Sequence, residues 1–319
     1  MPELPEVETV ARTLAPEVCG RRIVDIKVAE PRSWQGNVPP QAVAAMRPCI
    51  SAAGRRGKLL LLFFGSGEDS PPPAETCLAD IPAPQEASAW PLRYTRQGVL
   101  RGRPDPAAES GLPLNGLAFH LRMTGGLFVH PQGADPLAHT RIIFDLDDGS
   151  RLFFDDTRKF GGVRALCARE LEAWEFWQKL GPEPLEMGEA EFVARMRSRR
   201  QIKALLLDQQ VVAGVGNIYA AESLFRAGIR PDARGDEISA AKLKKLHRSL
   251  VEILLLAIRE CGSSIRDYRN AHGDAGAFQN TFRVYGREGQ PCMACGNMLR
   301  HARIGGRATV WCPKCQKAR

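Results

Sequence analysis

Four cysteines near the end of the chain constrain its folding more than any other feature. Cys292-Met-Ala-Cys295 and Cys312-Pro-Lys-Cys315 are two Cys-x-x-Cys pairs with sixteen residues between them. That spacing falls within the window of four-thiolate structural zinc sites. Each pair sets two thiolates on one tight turn, and the intervening segment suits a short hairpin that closes a tetrahedron. The alternative is local disulfides or redox dithiols, but redox Cys-x-x-Cys motifs occur singly beside a βαβ pattern, and none is visible here. One structural zinc ion (Zn2+) is therefore expected to fold residues 281–319. Four thiolates leave no open position for a substrate, so this metal builds structure and does no chemistry.

The other five cysteines (Cys19, Cys49, Cys77, Cys167, Cys261) are scattered and odd in number, which argues for a reducing, cytoplasmic compartment. Apolar runs are short, as in Leu59 to Phe64, far below a membrane span, and the acidic start with Glu3, Glu6 and Glu8 is unlike a signal peptide. Net charge is +8, and its distribution is informative. From Gly289 to Arg319 there is no acidic residue, while Arg300, Arg303, Arg307, Lys314, Lys317 and Arg319 are basic. A second basic cluster, Arg195, Arg197, Arg199, Arg200 and Lys203, falls on a stretch that reads as helical. Together with a zinc finger, two such patches point to nucleic acid as the partner.

At 319 residues the chain is long enough for two or more domains. Residues 3–15 read as a helix, with Pro5 in the first turn and Val7, Val10 and Leu14 on one stripe. Strand patterns follow at Ile23–Val28, Lys58–Phe64, Leu117–Leu121, Leu127–His130, Arg141–Leu146, Arg151–Phe154 and Val163–Cys167, and their spacing suggests a β-sandwich. Residues 65–116 hold nine of the 23 prolines and read as a structureless insertion. Residues 181–188 read as a linker. Helices are expected at Glu189–Met196, Gln201–Asp208, Asn217–Arg226 with Asn217 as N-cap, and Ser239–Cys261. The expected architecture is α+β and multidomain. An N-terminal helix and β-sandwich occupy 1–180, a helical DNA-binding domain 189–280, and the four-cysteine finger 281–319.

The N-terminus carries distinctive chemistry. Pro2 is small enough to allow removal of Met1, which would expose a secondary amine. An α-amino group has a reference pKa of about 8, against about 10.4 for lysine, so more of it is free base at neutral pH. Condensed with an aldehyde carbon, a secondary amine gives an iminium that cannot neutralise itself by losing an N–H proton, and that cation is an electron sink for elimination. Glu3 and Glu6 supply a candidate general acid and a helper carboxylate. Taken alone, these residues read better as an ordinary helix start with proline and glutamate in their favoured places.

The longer string alters the balance. Pro2-Glu3-Leu4-Pro5-Glu6-Val7-Glu8-Thr9-Val10 resembles the N-terminus of the formamidopyrimidine-DNA glycosylase family. The resemblance continues through Gly54-Arg55-Arg56-Gly57-Lys58, His120-Leu121-Arg122-Met123-Thr124-Gly125-Gly126, Asp156-Thr157-Arg158-Lys159-Phe160-Gly161-Gly162, Leu180 to Leu185, and Val215 to Ala220. It ends in the finger with Arg307-Ala308-Thr309. It implies a helix-two-turn-helix arrangement for the helical domain. It also implies a monomeric base-excision enzyme that acts on double-stranded DNA carrying oxidised purines or abasic sites, without a membrane partner.

In that pattern Pro2 attacks C1′, Glu3 is the acid, Lys58 assists β-elimination and Arg307 the second elimination. His139, Arg158, Asn217 and Lys203 match DNA-binding positions. Met123, Arg158 and Phe160 match the side chains that fill the void left by a flipped base, a step needed because the reacting carbon is shielded in the stack. Three departures stand out: the insertion, residues 270–278, which match a base-covering loop only incompletely, and Lys159, which stands where arginine is common in the family. Two rival readings remain: the sister endonuclease VIII group, which prefers oxidised pyrimidines, and a non-catalytic zinc-finger DNA-binding protein.

Overall fold

The structure is a computed structural model that describes residues 2–65, 93–95, 98–100, 114–264, 271 and 273–317. It divides into two compact units. One holds the N-terminal part up to Lys179 together with the described residues of 261–277; the other holds 180–260 and 278 onward.

The N-terminal unit is built on helix α1, Leu4–Val18. Eleven of its residues are buried, including Leu4, Val7, Val10, Leu14 and Val18, so it is a largely internal helix. Two sheets pack with it. The smaller runs β1–β9–β10–β8, with β1 Ile23–Val28, β8 Gly125–His130, β9 Thr140–Leu146 and β10 Arg151–Asp156. The larger has seven strands in the order β2–β11–β7–β4–β3–β5–β6. In it β2 is Trp34–Gln35, β3 Cys49–Arg56, β4 Leu59–Gly65, β5 Arg93–Thr95, β6 Gly98–Leu100, β7 Gly116–His120 and β11 Gly162–Leu166. One core cluster joins Val10 and Leu14 of α1 to Leu60, Leu62, Phe119, Phe144 and Phe154 of the two sheets. Phe119 packs edge-on against Phe144 at 5.8 Å. Each such ring contributes about 1.5–3 kcal/mol by burial.

Two sequence expectations need correction here. Strand β3 (CISAAGRR) has almost every residue buried, so it lacks the alternation by which a half-exposed strand is recognised. Residues 65–116 are not structureless throughout. Arg93–Thr95 pairs antiparallel with β3 and Gly98–Leu100 pairs with Arg93–Thr95, extending the larger sheet. Gly65 closes β4 and Gly116 opens β7, and residues 66–92, 96–97 and 101–113 lie outside the described residues. Of the five scattered cysteines, Cys19, Cys49, Cys167 and Cys261 are free thiols, and Cys77 lies outside the described residues.

The second unit begins with the segment expected to be a linker, which is pinned down. Gly181 N–H donates to Gln209 O at 2.8 Å, Ala213 N–H donates to Pro182 O at 2.9 Å, and Glu183 is buried. Helices α5 Glu189–Met196, α6 Ile202–Leu207, α7 Asn217–Ala227 and α8 Ala240–Arg259 follow; two short helices, α2 Pro40–Ala45 and α3 Ala168–Ala173, and the single turn α4 Glu175–Gln178 belong to the first unit. The turn between α6 and α7 closes on one side chain. Gln209 Nε2 donates to Leu207 O and Val215 O, and its Oε1 accepts from Gly214 N–H at 2.9 Å. The chain ends in the hairpin of β12 Arg300–Ile304 and β13 Arg307–Trp311. Gly305 and Gly306 both have φ above zero, at 58° and 73°. A two-residue turn of this hand needs that conformation at both positions.

Candidate active site and nucleic-acid interface

The start of α1 is unusual for what it buries. Pro2 is buried, and Glu3, Glu6 and Glu8 are only 3%, 1% and 3% exposed. Glu6 Oε2 accepts from Glu3 N–H at 2.8 Å, one arm of a capping box. Its other oxygen, Oε1, accepts from both Ser263 N–H at 2.8 Å and Ser263 Oγ–H at 3.0 Å. Glu8 is held by Arg55 Nε at 2.7 Å and by Arg12 Nε at 3.0 Å. Arg55 lies on β3 three residues before Lys58, itself buried. That ion pair therefore ties the turn carrying Lys58 to the helix carrying Glu3. Lys58 also acts on His120, whose partner in the β4–β7 ladder is Leu59. Burial, then the charges of Arg122 and Lys58, push the His120 imidazolium down to about 3. His120 is a neutral imidazole whose Nδ1 accepts from Arg122 N–H at 3.2 Å.

Met123, Arg158 and Phe160 form one cluster on the same unit. Arg158 Nη1 lies 3.0 Å from Met123 Sδ, and its guanidinium sits 4.8 Å from the Phe160 ring centre. Met123 is 42% and Phe160 54% exposed, which sets them apart from core side chains. His139 is exposed; its carbonyl accepts from Asp156 N–H at 2.9 Å. Lys159, noted in the sequence as a lysine where arginine is common, pairs with Glu30 at 2.7 Å.

Lys203 and Asn217 converge in the second unit on the strand that carries Arg307. Lys203 is fully buried and its Nζ donates to Thr309 Oγ1 at 2.7 Å. Asn217 Nδ2 donates to Ala308 O at 3.0 Å. Both therefore bind the strand that carries Arg307, whose side chain is exposed. Two expectations are revised. The N-cap of α7 is Gly216, and Asn217 is the first helical residue. The basic cluster from Arg195 to Lys203 is no single exposed helical stretch, because it spans the end of α5, a turn and the start of α6. Arg195 is paired with Glu191 and Arg200 with Asp208, both at 2.9 Å.

The four finger cysteines pass a geometric test for zinc. Their sulfurs all lie within 4.8 Å of one another, with Cys292 to Cys315 at 3.9 Å and Cys295 to Cys312 at 3.5 Å. A tetrahedron with Zn–S bonds of about 2.3 Å has edges near ~3.8 Å, whereas a disulfide needs about 2.05 Å. Cys292, Cys295, Cys312 and Cys315 hold one structural zinc ion.

Sequence reasoning missed His120, Asp156, Ser263 and Thr309. His120, Asp156 and Thr309 lie within motifs where their neighbours had drawn attention. The role of Ser263 comes from a pairing across 257 residues of chain.

A two-sheet unit under a buried acidic helix start, a helical unit, and a four-thiolate hairpin define a multidomain zinc-finger protein of the α+β class. The formamidopyrimidine-DNA glycosylase N-terminal domain matches residues 1–78 and 109–163, its H2TH domain residues 180–269, and the zinc finger found in FPG and IleRS residues 289–318. A formamidopyrimidine-DNA glycosylase of Nitratidesulfovibrio vulgaris is 47% identical, covering 99% of this chain and all of the relative. One from Geobacillus kaustophilus is 35% identical over 99% of this chain and all of the relative. Among solved structures, a Lactococcus lactis FPG mutant in complex with Fapy-dG-containing DNA superposes with a TM-score of 0.77 at 30% identity, covering 99% of this chain and 100% of that one. The Lactococcus lactis Fpg with abasic-site DNA gives 0.75 at 30% identity, with 99% of each chain covered. The chain belongs to the formamidopyrimidine-DNA glycosylase family. Among the described residues no helix is long and apolar enough to cross a membrane.

Proposed function

We propose that this chain is a bifunctional glycosylase and AP lyase of base-excision repair that removes oxidised purines, such as 8-oxoguanine and formamidopyrimidines, from duplex DNA. The observation that carries this reading is the burial of Glu3 and Glu6 around Pro2. Burying two acids at one helix start costs stability unless they are bonded, and it suits proton transfer at an amine. Pro2, freed of Met1, attacks C1′ of the damaged nucleotide while Glu3 protonates the departing base or the opening sugar ring. Glu6 holds the Pro2–Glu3 segment through the Glu3 N–H. Loss of the C2′ proton from the iminium breaks the C3′–O bond, with Lys58 at the adjoining phosphate, and a second elimination at C5′ is assisted by Arg307. His139, Arg158 and Asn217 contact the DNA; Lys203 supports that surface from beneath the Arg307 strand. Met123, Arg158 and Phe160 occupy the space the flipped nucleotide leaves. The enzyme works in the bacterial cytosol, a placement supported by the bacterial sources of its relatives.

Borohydride trapping tests the chemistry. The Met-processed protein should become covalently linked through Pro2 to an oligonucleotide carrying an abasic site, and absence of the adduct would sink the reading. Substrate class is tested by comparing 8-oxoguanine opposite cytosine with thymine glycol. A clear preference for thymine glycol would assign the chain the pyrimidine specificity instead.

A further inference from the structure

Asp156 is fully buried and sits between the two loops that carry the void-filling side chains. Its Oδ1 accepts from Arg158 N–H at 3.1 Å and from the Thr124 hydroxyl, while its Oδ2 accepts from Gly161 N–H at 2.7 Å. Thr124 Oγ1 in turn accepts from Arg158 N–H at 3.1 Å. One carboxylate thus bonds the residue after Met123 to both ends of the Arg158–Gly161 segment. Its own backbone continues the link, because Asp156 N–H donates to His139 O and Asp156 O accepts from Arg141 Nε at 2.7 Å.

Both loops contain strained backbone. Arg122 and Lys159, the residues immediately before Met123 and Phe160, have φ of 54° and 57°. Such left-handed conformations in non-glycine residues persist only where surrounding bonds over-determine them. Gly161 adds a close approach: a Cβ there would lie 2.9 Å from His120 O and 3.1 Å from Asp156 Oδ2. The carboxylate, the strained residues and the missing side chain agree on a single loop arrangement. Its visible product is the cluster of Met123, Arg158 and Phe160, whose side chains touch each other and face solvent.

We infer that Asp156 is a positioning residue that preassembles Met123, Arg158 and Phe160 as one rigid wedge, so that the wedge enters the duplex as a unit. This rests on the proposed base-flipping reading of those three residues. The entropy of ordering three long side chains is then met during folding and not during lesion engagement. The inference concerns entry into the duplex and leaves the amine chemistry at Pro2 apart.

The test uses full-length Asp156→Asn and, because a buried carboxamide can impair folding, Thr124→Val, which removes one anchor and leaves the carboxylate in place. Each is compared with the unaltered protein in borohydride trapping on an abasic site in duplex and in single-stranded oligonucleotide, with 2-aminopurine opposite the site reporting insertion of the wedge. Expected is a fall of about tenfold in the duplex-to-single-strand ratio of trapping rates for Asp156→Asn, a smaller fall for Thr124→Val, and a reduced 2-aminopurine response in both. An unchanged ratio and response in Thr124→Val and Asp156→Asn would overturn the inference. So would an equal loss on both substrates, which would mark a general folding or chemical defect. Failure of the unaltered protein to trap would instead strike the function reading itself.

Discussion

At the scale of single residues the active-site carboxylates are divided by their bonding. Glu6 accepts three hydrogen bonds, one from Glu3 and two from Ser263, and is thereby committed to holding the helix start. In the proposed function Glu3 is the acid. Glu3→Gln should lower excision of 8-oxoguanine by about 10²–10⁴-fold, the usual worth of general acid catalysis. Trapping on a pre-formed abasic site, which has no base to expel, should fall much less; single-turnover assays of the two substrates separate the effects. His120 makes a second prediction. Its folded-state value of about 3 lies below the ordinary 6.5, so between these pH values the unfolded chain binds the proton that the folded one refuses. Its contribution to stability is complete above about pH 6.5 and is lost as pH falls toward 3, on the order of a few kcal/mol. Urea melts of the native protein and His120→Gln across that window should converge at acid pH, and parallel curves would refute the assignment.

At the scale of elements, the hairpin bearing Arg307 is fastened to helix α6 by a buried lysine. Lys203 donates to Thr309 Oγ1, and Thr309 Oγ1 donates to Arg307 O at 3.0 Å. The fastening sets where the Arg307 backbone runs. Thr309→Val should reduce the yield of the second elimination relative to the first by about five- to tenfold, the worth of about one ordinary hydrogen bond. Gel separation of the two products measures it, and the first elimination should stay close to native. Glu222 provides a comparable join, accepting from the N–H groups of Arg283, Val284 and Tyr285. Burial nevertheless raises its carboxyl above the ordinary value, outweighing those donors. Elements with regular patterns were legible from sequence: Ile23–Val28 and Glu189–Met196 fall where the pattern puts them. Strand β3 was not, because small residues buried on both faces carry no period.

At the scale of the whole molecule, the zinc ion belongs to the finger alone. A structural four-thiolate site is worth about 10–16 kcal/mol to the segment it folds. Chelation should therefore melt the finger while leaving most helical circular dichroism in place. DNA affinity should fall before the reactivity of the Pro2 amine toward a small aldehyde does. If helical signal and affinity vanished together, the finger would be part of a larger cooperative unit.

What the sequence determined by itself was local chemistry: thiolates at metal-binding intervals, a proline and acids at a helix start, and a basic terminus free of acidic residues. Those signals are carried by neighbours a few positions apart, and covalent geometry alone holds them together. The tertiary structure decided the rest. It brought Ser263 onto Glu6, Asp156 between two loops, and Lys203 beneath the finger strand. Each of these joins segments distant in the chain by a buried polar pairing, and no period in the sequence announces which residues will meet. What selects them is the cost of burying a charge unbonded, which applies only once the fold has excluded water.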